Sequence, residues 1–588
     1  MNVKWKYFSI RSMHRMAKIT FHRIISSYSR TLHKSSILNY DDYTNKSFYD
    51  IGEHPYKRVW EITKLDFQRN RIRYNQAKYD YYKRRGKLTN MMKSVCDLEL
   101  LPMECTVAII GGGLVGSACA WWIKQRIRDD DLKVVVIEAD STFSISSTIL
   151  SPGGIWQQFS CPEKVQMSLF TAEFLRNANE HLRILENDLP AFRFTPMNSL
   201  FLADNEEKAN AMVQNHKMQT ALSFKWSQVD LFLSDLGAKV KLLNNDELQL
   251  MFPFMRFGDI VLGSLGSENE GVFDGWQLLS AFREKNITLG VQYIKAKVTG
   301  FLYEWNNDQS PAKVLSERDQ WKHKSLRRLV VDLIFTLMEP QVTDCAPRAL
   351  YSYLFINCAG AWSGEVAEMA GFGLGEEVMS VPIPVVARKR YAFIFHCPDG
   401  PSLDMPYLFD PSGVWCRREG LGHLYICGKN PSWMLLLFSN SFLIHNITYQ
   451  EEDNQIDHSN LDVDYDYFDT KIWPVLAARV PSFEKLKVCS SFATTSPNFH
   501  YLYTVVKNSW AYYVDRNLYD NSAIIGPHPF HSNYYHCGGF DGMALQHGIP
   551  AARALMEQFL EGAYVSIDLR DFHLSRMLRG KTVKPECF

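Results

Sequence analysis

Apolar residues gather in short unbroken runs that give way abruptly to glycine turns and helical-period segments. Thr106–Ile110 is too short for a buried helix and runs straight into Gly-Gly-Gly-Leu-Val-Gly at 111–116, which predicts a strand, a tight turn and a helix over Ser117–Arg126. A second apolar run, Val134–Ile137, ends at Glu138, 22 residues past Gly116. The two runs read as a βαβ unit. Leu169, Ala172, Phe174, Leu175, Ala178, Leu182 and Leu185 then recur at helical spacing, predicting an amphipathic helix over Ser168–Leu189. Glu270–Ala281 reads as a turn and a helix start, and segment 303–350, polar and irregular, as an excursion from the sheet. Leu354-Phe355-Ile356 returns to strand character before Asn357-Cys358-Ala359-Gly360-Ala361-Trp362-Ser363, a small-residue turn that opens a helix. Arg390–His396 and Leu424–Gly428 alternate as an antiparallel pair does. Near the end, Ile524–Pro527 and Asn533–Cys537 precede a glycine loop, Gly538–Gly542, and a helix over Ile549–Phe559.

The first turn carries chemistry. Gly111 permits the reversal, Gly113 lets backbone N–H groups approach a pyrophosphate at a helix N-terminus, and Gly116 allows helix and strand to touch. Glu138 is placed to accept the hydroxyls of an adenosine ribose. An ordinary strand-to-helix turn would not account for an acid closing the second strand at that distance.

With 588 residues, 46% hydrophobic and 13% aromatic, the chain can bury more than one core. Its 64 basic and 64 acidic residues cancel, so no global field steers it to nucleic acid, and none is expected as a partner. The 12 cysteines include no pair as close as CxxC, which argues against a zinc ribbon, an iron–sulfur ligand set or a redox dithiol. No metal is expected, and the thiols read as reduced core residues of an intracellular compartment. Residues 1–40 lack Asp and Glu while Lys4, Lys6, Arg11, Arg15, Lys18, Arg23, Arg30 and Lys34 recur, the look of a mitochondrial transit peptide or of a basic tail. Residues 41–104 read as a charged pre-region with some helix, whose basic face is a solvated surface or a docking site. The apolar stretch Trp433–Ile444 is too short to span a bilayer, so no transmembrane helix is expected.

Four segments taken in order, Ala108–Gly116 with Glu138, Ser146–Gly154, Ile356–Ser363 and Gly539–Gln546, resemble the D-amino-acid oxidase superfamily of FAD-dependent oxidoreductases. Ile155–Ser160, Arg388–Tyr391, His396-Cys397-Pro398, Arg417–Gly422, Lys471–Pro481 and Gly526–Pro529 are similar to a branch of mitochondrial proteins implicated in the assembly of respiratory complex I. The resemblance covers residues 105–580. It implies an α/β fold with a discontinuous Rossmann-like FAD-binding domain (about 105–195, 270–300, 350–380 and 520–565) and a second domain on a mixed antiparallel sheet (about 196–269 and 381–490). Carried over, it places FAD on Gly111, Gly113, Gly116, Glu138, Ser146, Ser147, Thr148, Ala359, Gly360, Gly539, Gly542 and Gln546.

Departures from the pattern sharpen it. In dimethylglycine dehydrogenase relatives a histidine two residues past the Ser-Thr pair is bonded to the flavin; this chain has Leu150 there, so FAD is expected without a covalent link. Sarcosine oxidase-like enzymes hold the substrate carboxylate with a lysine where this chain has Gln546. Losing that charge-assisted bond, worth roughly 1.5–3 kcal/mol, is expected to weaken amino-acid binding by about one to two decades. Complex I assembly relatives keep a His-Gly that is Met543-Ala544 here, and the added β-carbon is expected to press on the flavin loop. Segments 224–235, 433–450 and 494–510 interrupt the resemblance; their unpatterned apolar composition is shared by surface loops and by translated non-coding sequence.

A flavin would supply the hydride chemistry, leaving the protein to orient a substrate and exclude water. Substrate-side candidates are Gln157, Gln158, Arg388, Arg390 and Tyr391, the arginines because a forked guanidinium suits a carboxylate. His528 and His536 read as acid/base groups or as hydrogen-bonded structural residues. Three functions fit: a flavoprotein of the mitochondrial matrix, or of the matrix face of the inner membrane by peripheral association, that serves complex I subunits or assembly intermediates; an FAD-dependent dehydrogenase of N-methylated or other amino acids; and a binding module without flavin.

Overall fold

A computed structural model of the chain describes residues 102, 104–127, 132–184, 194–221, 238–305, 324–333, 348–374, 380–430, 460–485 and 506–583. The chain divides at residue 60, and all described residues belong to the second unit. The transit-peptide expectation, nearly all of the 41–104 pre-region, and segments 224–235, 433–450 and 494–505 lie outside them.

β1 (Glu104–Ile110) leads through α1 (Leu114–Arg126) into β2 (Val134–Glu138), followed by the short helix α2 (Ser147–Leu150) and by α3 (Pro162–Arg176). Next come β3 (Phe194–Pro196), β4 (Ser199–Ala203), β5 (Val240–Leu243), β6 (Leu262–Gly266), β7 (Gly271–Phe273), α4 (Gly275–Thr288) and β8 (Gln292–Trp305). β9 (Lys324–Leu333), β10 (Arg348–Asn357) and α5 (Ser363–Met369) precede a run of strands: β11 (Val385–His396), β12 (Tyr407–Phe409), β13 (Val414–Glu419), β14 (Leu424–Lys429), β15 (Val506–Asn517), β16 (Ile524–His528) and β17 (His531–Gly538). α6 (Ala544–Glu561) is the last long helix.

Two large sheets result. The first runs β1-β2-β8-β9-β10-β17-β16, with β1 also paired to β10. Its centre is parallel, β1 lying between β2 (Ile110↔Ile137) and β10 (Ile110↔Asn357), with β17 parallel to β10 (Asn357↔His536). Parallel strands are covered on both faces and therefore read as unbroken apolar runs, as β1 and β2 do. The second sheet runs β15-β11-β14-β13-β12-β4-β6-β5 and is mostly antiparallel, as expected for the strands at 390–396 and 424–428, where Ala392 pairs with Gly428.

Three elements differ from the sequence reading. The described residues of segment 303–350 belong to the sheet rather than to an excursion from it: β8 begins beside β2 (Val135↔Gln292) and continues into an antiparallel ladder with β9 (Trp305↔Lys324), which pairs in turn with the start of β10 (Tyr351↔Arg328). β9 reads Lys-Ser-Leu-Arg-Arg-Leu-Val-Val-Asp-Leu, and its charges hid a ladder strand. The helix expected over Ser168–Leu189 begins earlier, with Pro162 in its first turn, and breaks at Asn177 before a five-residue turn of helix, Ala178–Leu182. The final five residues of segment 494–510 belong to β15, where Trp510 pairs with Ala392.

α1 is buried almost all round, from Leu114 to Gln125, because it packs against both α4 and α6. Trp121, fully buried, meets Phe174 and Phe282 edge-on at 5.6 and 5.7 Å. Each such side chain contributes about 1.5–3 kcal/mol, fixing the helix that presents its N-terminus to the crevice. No helix among the described residues is long and apolar enough to cross a membrane, and no cluster of His, Cys, Asp and Glu among them could hold a metal.

Candidate functional site

Where β1 ends, Gly111 takes φ +98, and a Cβ there would lie 2.4 Å from the carbonyl oxygen of Cys358 on the neighbouring strand. A Cβ on Gly116 would meet the Gly111 carbonyl at 2.0 Å. No larger residue fits either position, so the turn that brings α1 against β1 requires both glycines. α1 has no side-chain cap at Gly113 and no acid in its first turn, which leaves its positive end open to an anion. Thr148 Oγ1 accepts from the Leu114 amide at 3.2 Å, and a Cβ on Gly113 would lie 3.2 Å from that oxygen and 3.9 Å from Ser146 Oγ. Ser146 and Thr148 thus lie over the glycine turn, while Ser147 Oγ turns away to donate to the Tyr513 carbonyl of β15.

Glu138 closes the far side of the glycine turn. Its Oε2 accepts from Gly112 N at 2.7 Å and its Oε1 from Asp140 N at 2.9 Å. Burial pushes its carboxyl up, while those two amides and the Arg283 charge draw it partly back. Each oxygen keeps a second lone pair for a ribose hydroxyl. Glu138→Ala is expected to lower FAD affinity roughly 10- to 100-fold, the worth of one charge-assisted bond, in titrations of apoprotein followed by flavin fluorescence. A change under about twofold would mean that the acid serves only its own loop.

The remaining cofactor candidates converge on the same edge of the sheet. Ala359 N donates to Asn357 Oδ1 at 3.2 Å, and Gly360, at φ +55, has open space where a Cβ would stand. Gly539 and Gly542 begin and end the loop that leads to α6, and Ala544 opens that helix with Met543 as its cap residue. The loop is held from below by Asp515, which no motif singled out: its Oδ2 accepts from Gly539 N at 2.8 Å and Phe540 N at 3.1 Å, and its own carbonyl accepts from Asp541 N. Gln546 is buried and fully engaged. Its Oε1 accepts from Trp156 N at 3.2 Å and Ser168 Oγ at 3.3 Å, and its Nε2 donates to Met543 Sδ. It braces the loop and also lines the cleft.

That cleft lies where the second sheet faces the loops at 151–154 and 541–543; Arg390, Tyr407, Trp415, Tyr512, Asp541 and Gln546 are among its walls. Only one of the proposed substrate-side residues lines it. Arg390 does, from β11. Tyr391, its neighbour on the strand, points to the opposite face and packs on Tyr467 at 5.2 Å. Arg388 shares Arg390's side of the strand but is not among the cleft's walls. Gln157 and Gln158 are buried beneath it: Gln157 Nε2 donates to the Asn269 carbonyl at 2.6 Å, and Gln158 Nε2 donates to the Ser199 carbonyl at 2.9 Å while its Oε1 accepts from Ser264 Oγ. Gln158 thus ties the loop to β4 and β6, Gln157 ties it to the turn before β7, and neither is among the cleft's walls. Arg417, quoted above only as part of a motif, donates to the Pro152 carbonyl at 2.6 Å and so holds the other loop of the cleft.

His528 and His536 lie away from the cleft. His528 stacks on Phe372 at 4.2 Å; His536 is fully buried, with neither ring nitrogen hydrogen-bonded among the described residues. Burial depresses both to about 3 and His181 to about 4, and holds His547 well below its ordinary range. Burial acts oppositely on two acids, pushing Glu270 from 4.5 to about 7 and Asp515 from 3.8 to about 6. The histidines release protons on folding below about pH 6.5, so their contribution is present above 6.5 and is lost as pH falls toward 3–4. The acids take up protons on folding, so their contribution is complete below about 4 and is lost as pH rises through 6 and 7. Four groups outweigh two between pH 4.5 and 6.5. The thermal midpoint is therefore expected to rise with pH to a maximum near 6.5–7 and then level or decline as Glu270 ionises. A midpoint that fell steadily from pH 5 to 7 would contradict the neutral-histidine assignment.

A glycine-lined turn under a helix whose N-cap residue offers no side chain, with a carboxylate and hydroxyls beside the turn, fits a dinucleotide such as FAD. The chain belongs to the FAD-dependent oxidoreductase family, whose model matches residues 106–558. Within it, the chain is similar to FAD-dependent oxidoreductase domain-containing protein 1 of Xenopus laevis, 39% identical over 484 residues that make up 81% of this chain and 83% of that protein. The Drosophila melanogaster homolog of that protein is 33% identical over 477 residues, covering 81% and 79% of the two chains. In three dimensions the chain resembles L-proline dehydrogenase from P. horikoshii (TM-score 0.58, 18% identity, 82% of this chain and all of that one) and glycine oxidase from Geobacillus kaustophilus (TM-score 0.53, 15% identity, 81% and 99%). At such identities the structural likeness speaks for the fold.

Proposed function

We propose that this chain is a flavoprotein of the mitochondrial matrix that binds FAD without a covalent bond and serves the assembly of respiratory complex I, touching its subunits or assembly intermediates and associating with the inner membrane only peripherally. The observation that carries the flavoprotein reading is the crevice of Gly111, Gly113 and Gly116 closed by Glu138. The acid-free basic stretch 1–40 supports import, and the likeness of Arg388–Tyr391, Arg417–Gly422 and Gly526–Pro529 to assembly-related proteins supports the role. Leu150 supports the absence of a covalent link: it packs with Ala392, Tyr512 and Val514 on the cleft side of the second sheet, and a leucine offers no atom for such a bond. When bound, FAD accepts hydride. This chain's part is to hold the pyrophosphate on α1, to brace the flavin-side loop through Asp515, and to wall the cleft with aromatic side chains that exclude water. Depleting the protein should lower the amount of fully assembled complex I on native gels, with restoration by the wild-type chain; unchanged assembly would defeat the role.

Arg390 in the cleft favours a second reading, a dehydrogenase of N-methylated or other amino acids. Bleaching of the flavin band by millimolar sarcosine, dimethylglycine or another amino acid would establish it, and no change across such a panel would rule it out.

A further inference from the structure

Arg390 and Asp541 meet across the cleft without closing. Arg390 Nη2 stands 3.9 Å from Asp541 Oδ1, with the two side chains only 14% and 4% exposed. Arg390 Nη2 and Asp541 Oδ2 are both buried without a hydrogen-bond partner among the described residues. A buried ion pair normally repays its desolvation by short, fully matched hydrogen bonds; here one donor and one acceptor are left unmatched on two residues that both line the cleft. Asp541 is held in that position. Its φ is +50, in the left-handed region that non-glycine residues seldom occupy and aspartate tolerates better than most, and it is held there by the bond from its amide to the Asp515 carbonyl together with the Asp515 clamp on the two preceding amides. Tyr512 lies beside both charges, which act on its phenol in opposite senses.

Alone, Arg390 would make an anion site. With a carboxylate under 4 Å away, an incoming plain carboxylate gains one partner and meets one like charge. We propose that Asp541 is a specificity-determining residue that makes this cleft reject simple carboxylates and accept small molecules carrying a cationic amine beside the carboxylate, the amine at Asp541 and the carboxylate at Arg390. The aromatic walls, Trp156, Tyr407 and Trp415, tolerate methyl groups on that amine, since aromatic faces attract alkylated ammonium. The inference rests on the reading of this cleft as the substrate side of a flavoprotein.

Equilibrium binding to the FAD-loaded protein tests it with three probes: acetate, trimethylammonium and glycine betaine, a zwitterion that cannot be oxidised at nitrogen. Binding is read by perturbation of the flavin spectrum and, independently of flavin, by the fluorescence of the cleft tryptophans. Wild type should bind glycine betaine at least about tenfold more tightly than either single-charge probe. Asp541→Asn and Asp541→Ser, each checked for an unchanged thermal midpoint, should bind acetate at least about tenfold better and glycine betaine at least about tenfold worse. Equal affinity for acetate and glycine betaine in the wild type, unchanged preference in both variants, or no binding of any probe would each overturn the proposal. Absence of flavin from the protein would instead strike the flavoprotein reading, while the tryptophan signal would still report charge preference.

Discussion

Changing Gly113 to glutamate is expected to abolish FAD retention while the chain stays folded. The position is open toward the crevice: an added Cβ meets only Thr148 Oγ1 and Ser146 Oγ, at 3.2 and 3.9 Å, and no backbone atom within 4 Å. A glutamate there costs little in packing. It places a carboxylate at the helix end where the pyrophosphate should lie, and like charges forced together cost several kcal/mol, roughly a hundredfold or more in affinity. Gly116→Val is the contrasting change, because its Cβ would lie 2.0 Å from a backbone carbonyl and the unit itself should fail. Apo Gly113→Glu with a wild-type thermal midpoint and no FAD binding by titration is the expected result. Undiminished binding would mean that the anion site lies elsewhere.

Removing Asp520 should destabilise the chain by about 3–5 kcal/mol, the cost of leaving a buried partner charge uncompensated. Asp520 and Arg576 expose 2% and 3% of their side chains. Asp520 Oδ1 accepts from Arg576 Nη2 and Asn517 Nδ2, both at 2.8 Å, and its Oδ2 accepts from Arg576 Nε at 2.8 Å and Val583 N at 3.1 Å. One carboxylate therefore fastens the C-terminal segment to the turn between β15 and β16. Asp520→Ala strands the guanidinium; Asp520→Ala combined with Arg576→Met removes both charges and should recover part of the loss. Denaturant unfolding of the single and double variants measures this, and a single-variant loss under about 1 kcal/mol would show that the pair contributes little.

The nucleotide crevice was readable in the sequence because its parts are local. Strand, turn and helix are contiguous over Thr106–Arg126, and Glu138 closes the next strand. The cleft was less readable because it is assembled from β11, β12, β13, β15 and two loops. The sequence reading offered Arg388, Arg390 and Tyr391 together, although period-two alternation sets Tyr391 on the face opposite the arginines, and it could not say which arginine reaches the cleft. Gln157 and Gln158 follow a flavin-side loop, but their amides are taken up by the carbonyls of Asn269 and Ser199, more than 40 residues away. Asp515 left one faint signal, a charge directly after the apolar run Ala511–Val514. Asp541 sat inside a glycine loop without any sign of the arginine opposite. The β8–β9–β10 meander was hidden because β9 carries Lys324, Arg327, Arg328 and Asp332 among its apolar residues.

The visible absorption spectrum of the purified protein, recorded before and after acid denaturation, tests the central claim most directly. A flavin band that follows the folded protein and passes into the supernatant on denaturation, with FAD identified there, is the result this account predicts. Colourless protein that takes up no FAD on reconstitution would contradict it.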